Sequence, residues 1–128
     1  KGKIKDEILE KTEIRFYLLK YLINNYKENL ANRYKLELSY IEDIITNTEE
    51  SDAIIEIMNE IGKKRGAIIS GGRIDEVKVS NIIIEDFRTG KIGKITIEKT
   101  KQLKYYKDFK KFLAEIPDGY RKEGGENG

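Results

Sequence analysis

Cysteine, histidine and tryptophan are absent from this chain, and proline occurs once. Without cysteine there is no disulfide and no thiolate metal site. Without histidine the commonest general base and the commonest metal ligand are missing together. No apolar run approaches the roughly 20 residues needed to span a bilayer, and nothing resembles a signal peptide. The phosphate-cradling pattern G-x-x-x-x-G-K-[ST] does not occur either. These absences predict a cytoplasmic chain with no membrane contact, no catalytic residues, and no metal or cofactor of its own.

What is present is charge, unevenly spread. The 128 residues suit one domain with a modest core, and the net charge is only +2. From Arg88 to Lys111, however, nine basic residues face only Glu98 and Asp108, a local charge of +7. The segment from Ser51 to Gly62 is acidic, carrying Asp52, Glu56 and Glu60. A near-neutral total therefore covers a polarised surface. The chain starts at Lys1 rather than Met and reads as part of a longer protein.

Apolar spacing predicts an all-α fold, a compact bundle of four to six helices with a short extended segment near Ile92–Glu98. A first helix runs from about Glu13 to Tyr26 behind Thr12 as N-cap, and a second from Lys27 to Tyr34. Ser39 with Glu42 three residues on fits a capping box for one or two turns around Ile41, Ile44 and Ile45. A loop from Thr46 to Ser51 leads to a helix over Asp52–Lys64, ended by Gly66. After a turn at Ser70-Gly71-Gly72, Asp75 caps a helix from Glu76 to Thr89, which Gly90 stops. Ile92–Glu98 alternates like an extended strand. A basic amphipathic helix over Leu103–Glu115 precedes Pro117 and a flexible tail.

Three glycine-punctuated basic clusters lie between Gly62 and Lys94: K-K-R-G, S-G-G-R and R-T-G-K-I-G-K. Basic residues near a helix end compensate its dipole, and glycine caps it. Three adjacent cations before one glycine exceed what capping needs, so the second reading is phosphate contact. The candidate phosphate-contacting residues are Lys63, Lys64, Arg65, Gly66, Gly71, Gly72, Arg73, Arg88, Lys91, Gly93 and Lys94. In that reading Gly66, Gly72, Gly90 and Gly93 let backbone come close to phosphate. The aromatics of the last helix, Tyr106, Phe109 and Phe112, read as packing rather than base-stacking residues.

The lead-in I-K-D-E-I-L, the helix R-F-Y-L-L-K-Y-L and the stretch N-Y-K-E-N-L-A-N-R-Y-K-L open a resemblance. It strengthens at I-G-K-K-R-G-A-I-I-S-G-G-R-I-D and at D-F-R-T-G-K-I-G-K-I-T-I-E. Over about Gly2 to Glu98 the chain resembles the C-terminal domain of the ribosome-biogenesis GTPase A family of circularly permuted GTPases. The resemblance implies a helical, ANTAR-like RNA-binding domain, in which the candidate residues from Lys63 to Lys94 given above contact RNA, and whose parent binds GTP and Mg in a separate N-terminal domain. It implies as partners that GTPase domain, large-subunit rRNA and the pre-50S particle, and a role in late assembly of the large (50S) ribosomal subunit.

The expected organisation is an interdomain linker remnant over 1–11, a helical RNA-binding domain over 12–98, a basic helix over 99–117 and a tail over 118–128. Two other readings remain: a helical protein-interaction module, and an ANTAR-type antiterminator RNA-binding domain.

Overall fold

The computed structural model describes the backbone of residues 2–95, 97–98 and 121–122, and the side chains of residues 11–95. The helix expected over Leu103–Glu115 and the tail beyond it lie outside the described residues. Among the described residues five α-helices form: α1 (Gly2–Asn25), α2 (Lys27–Tyr34), α3 (Leu38–Asn47), α4 (Glu50–Lys64) and α5 (Glu76–Arg88). The fold is all-α, as the apolar spacing predicts.

α1 is the central strut, packing on α5, α4 and α2, while α3 bridges α2 and α4. Its apolar stripe supplies Leu18, Leu19 and Leu22, all fully buried. Around them stand Leu30 and Tyr34 from α2, Ile41 from α3, Ile57, Met58 and Ile61 from α4, and Ile83 and Phe87 from α5. Each such side chain contributes about 1.5–3 kcal/mol on leaving water, so the helices are held chiefly by this shared core. Gly62 allows α4 to approach α5: a Cβ there would sit 2.9 Å from Val79 Cγ2 and 3.0 Å from Ile74 Cγ2.

Two caps differ from expectation. Thr12 lies inside α1, which already begins at Gly2. The lead-in contains good helix formers and neither glycine nor proline after Gly2, so extending the helix costs little once it is nucleated. Ser39 lies within α3, whose N-cap is Glu37, in extended conformation and without a side-chain capping bond. Buried Leu36 fixes the chain just upstream, and the helix starts before Ser39 is reached. Asp75 does cap α5, its carboxylate accepting from the Lys78 N–H at 3.1 Å.

The α4–α5 connection is more than a turn. Ile68 and Ile74 form an antiparallel bridge, Ile69 N–H donates to Arg73 O at 2.8 Å, and Asp75 N–H donates to Ala67 O at 2.8 Å. A small hairpin results, with a 3-10 turn at Ser70–Gly72 as its tip. Further on, Ile92 and Ile95 are buried, and Ile97–Glu98 pairs in parallel with Arg121–Lys122. The extended segment expected near Ile92–Glu98 thus ends in a two-residue strand.

Candidate nucleic-acid interface

Three helix C-termini meet on one side of the bundle, and each ends in a left-handed cap. α4 closes on Gly66 (φ 69), with Gly66 N–H donating to Lys63 O at 3.3 Å and Ala67 N–H to Gly62 O at 2.8 Å. α5 closes on Gly90 in the same way, with Gly90 N–H to Phe87 O at 3.2 Å and Lys91 N–H to Asp86 O at 2.8 Å. These are Schellman closures, and the left-handed residue is what permits them. α2 ends on Lys35, whose φ of 57 makes it the non-glycine residue in this conformation among those described.

The termini are tied together by side chains. Arg33 of α2 forks onto Asp86 of α5, with Nε donating to Oδ2 at 3.1 Å and Nη2 to Oδ1 at 3.2 Å. Tyr34 O–H donates to the same Oδ2 at 2.8 Å. The Arg65 guanidinium, at the end of α4, lies 5.2 Å from the centre of the Tyr34 ring and donates from Nη2 to Arg33 O at 3.1 Å. Asp86 is only 7% exposed, so its charge depends on these partners. The fork, led by its hydrogen bond, raises the Arg33 pKa. Burial first, and Asp86 second, push the Tyr34 hydroxyl well above its ordinary value.

Beside this cluster lies an open groove of about 350 Å³, lined by Asn29, Asn32, Arg33, Lys35, Lys91 and Ile92. Asn29 Nδ2 donates to Ile92 O at 3.3 Å, fastening the post-α5 segment to α2. Gly93 makes that seam possible. Its φ is 126, and a Cβ would fall 2.5 Å from Asn29 Nδ2.

Of the residues singled out from sequence, the structure joins Arg65, Lys91 and Gly93 to this surface. Lys64 and Lys94 are exposed. Lys63 pairs with Glu60 at 3.8 Å and Arg88 with Glu85 at 3.8 Å, both along their own helices. Gly71, Gly72 and Arg73 occupy the exposed hairpin tip. Among the described residues no hydrogen bond or ion pair links that tip to the Arg65–Lys91 surface. The amides of Gly66, Gly72, Gly90 and Gly93 all donate within the chain, so cations here reach an anion through side chains.

Sequence reasoning passed over Arg33, Tyr34, Lys35, Asn29, Asn32 and Asp86. The N-R-Y-K and D-F-R strings held the clue, since each sets a charged residue beside a large aromatic, but nothing local says that the two strings meet. Among the described residues no group of three or more His, Cys, Asp or Glu is placed to hold a metal ion. No described helix is long and apolar enough to cross a membrane.

Comparison with known proteins gives one consistent relationship. The chain is 37% identical over 102 residues to ribosome biogenesis GTPase A of Bacillus licheniformis, covering 80% of this chain and 32% of that protein. It is 41% identical over 98 residues to ribosome biogenesis GTPase A of Bacillus pumilus, covering 77% and 31%. For the Bacillus cereus protein of the same name the identity is 36% over 97 residues, covering 76% and 29%. The chain thus spans about a third of the length of these curated relatives. No protein-family model matches it, and no solved structure does.

Proposed function

We propose that this chain, which belongs to the ribosome biogenesis GTPase A family as its C-terminal domain, is the RNA-contacting part of a cytoplasmic GTPase that acts in late assembly of the large ribosomal subunit. GTP and Mg would be bound by the parent's separate N-terminal domain. The name that the relatives share supports the ribosomal part of this reading. The observation that carries the RNA part is the meeting of three basic helix ends, where Arg33, Lys35 and Lys91 line one groove and Arg65 lies over Tyr34 beside it.

The chemistry suits a phosphate backbone. Helix C-termini carry partial negative charge and offer carbonyls, so the attraction for phosphate comes from the side chains, not the backbone. Lysines and arginines at the rim supply sequence-independent affinity, and the Asn29 and Asn32 amides offer both donors and acceptors to sugar or base edges. A folded RNA helix or junction would be recognised mostly by shape. Lys63, Lys64, Arg88 and Lys94 extend the positive rim, and the Arg73 tip forms a second contact point.

Binding to large-subunit rRNA fragments tests this. Affinity should fall steeply with salt, with a log–log slope of about −0.7 to −0.9 per phosphate neutralised. Charge reversal at exposed Lys64 and Lys91 together should remove most of the affinity and flatten the slope by about two units, with the thermal melt unchanged. Unaltered binding by the folded double variant would refute the assignment.

A further inference from the structure

A second surface has the opposite character. Between Leu36 and Gly62 there is no lysine or arginine, while eight acidic residues occur. Seven of them are exposed, Glu37 at the N-cap of α3 and the other six on α3, on α4 and on the turn between them, and Glu60 is half-buried. Cations from elsewhere pair with three: Lys27 with Glu42 at 3.3 Å, Lys20 with Glu50 at 3.8 Å and Lys63 with Glu60. Among the described residues Glu37, Asp43, Glu49, Asp52 and Glu56 have no ion pair. The crowding is felt locally: burial, then the Glu60 and Glu56 carboxylates, push the Tyr40 hydroxyl up to about 12.

This acidic surface is studded with apolar side chains. Ile45 is 37% exposed and Ile55 43% exposed. Beside Ile45, between α1, α3 and α4, a pocket of about 130 Å³ opens onto the surface. Its floor is Ile23, Ala53 and Ile54, and its rim is Lys20, Asn24 and Glu50. The rim is loosely latched, with Asn24 Nδ2 reaching Glu50 Oε2 at 3.4 Å. An apolar cavity of about 150 Å³ accepts a benzene-sized group, so this one suits a single aliphatic side chain.

We propose that the pocket between α1, α3 and α4 docks a lysine- and arginine-rich protein segment that inserts one aliphatic side chain. Charge complementarity selects this occupant. A nucleic acid would be repelled by the carboxylates, and an acidic or neutral segment would gain nothing from them. The buried aliphatic group supplies the anchor, and the exposed carboxylates of α3, α4 and the turn between them draw in and orient the basic flanks. The domain therefore has two faces for two kinds of partner, a phosphate backbone at the helix C-termini and a basic protein segment on the α3–α4 side.

The test is an NMR titration of the full chain with an acetylated ten-residue peptide of lysine and arginine around one central leucine. The control peptide has alanine in place of that leucine. The leucine peptide should shift the amides of Ile45, Ala53 and Ile54 saturably and bind about tenfold or more tighter than the control, as burial of one leucine implies. Ile45→Ser should remove most of that advantage and leave the control peptide's affinity and the melting temperature unchanged. Equal binding of the two peptides would overturn the proposal, as would an absence of shifts at these three amides. It would equally fail if an RNA duplex produced the same shifts, or if they appeared on concentrating the chain alone.

Discussion

Asp86 accepts three hydrogen bonds in a position that leaves it 7% exposed, and each donor belongs to α2. Removing one partner of such a pair leaves the other charge poorly compensated. Asp86→Ala should therefore cost about 3 kcal/mol in urea denaturation, and Asp86→Asn less, because one carbonyl acceptor remains. Tyr34→Phe removes a single buried bond and should cost about 1–2 kcal/mol at neutral pH. That cost should depend on pH in a defined direction. The folded state holds the Tyr34 hydroxyl's pKa above its unfolded value of about 10, so its contribution is complete below pH 10. Above pH 10 the unfolded chain ionises first, and wild type should lose its advantage over Tyr34→Phe by about 1.4 kcal/mol per pH unit. Paired denaturation curves at pH 8 and pH 11 measure the change, and a constant gap would contradict it.

At the scale of elements, the three caps around the groove differ in a way that matters. Two are glycines, but α2 ends on Lys35 with φ 57. A non-glycine residue there carries about 1 kcal/mol of strain, and strain of this kind concentrates at functional positions. Lys35→Gly should stabilise the domain by about 1 kcal/mol in thermal denaturation while weakening RNA binding, since it relieves strain and deletes a groove cation. Improved RNA binding by that variant would separate Lys35 from the interface. The elements themselves were legible in sequence where periodicity and punctuation agreed. α2 falls over Lys27–Tyr34 as expected, and Gly66, Asp75 and Gly90 perform the capping that their positions predict. Legibility failed where a capping residue was present but the helix did not need it. Thr12 and Ser39 have the right side chains, yet continued helix and an upstream anchor at Leu36 set the boundaries instead. It failed also at Ser70–Gly72, where a glycine pair identified a turn but not the backbone ladder beneath it.

Across the whole molecule, charge is sorted into two territories, an acidic α3–α4 side and a basic rim at the helix ends. With a Debye length of about 10 Å at 0.1 M salt, the acidic side weakens long-range attraction of RNA only at low ionic strength. Asp52→Lys with Glu56→Lys should raise RNA affinity several-fold at about 0.05 M salt and leave it nearly unchanged at about 0.3 M. Filter binding at the two salt concentrations checks this, and a gain that persists at high salt would mean direct contact by the new lysines.

The amino-acid sequence by itself determined the helical period, most caps, the unequal distribution of charge and the relationship carried by the K-K-R-G and D-F-R-T-G-K strings. These are local properties, set by side-chain type and near-neighbour spacing. Only the tertiary structure decided that Arg33 and Tyr34 meet Asp86 more than fifty residues away, that Arg65 leans on that pair, and that Gly93 yields its side-chain space to Asn29. Those contacts depend on how α2, α4 and α5 pack, and the packing is fixed by burial of a common core. The helical faces announce that such a core exists, but burial is non-directional and does not state which faces will pair.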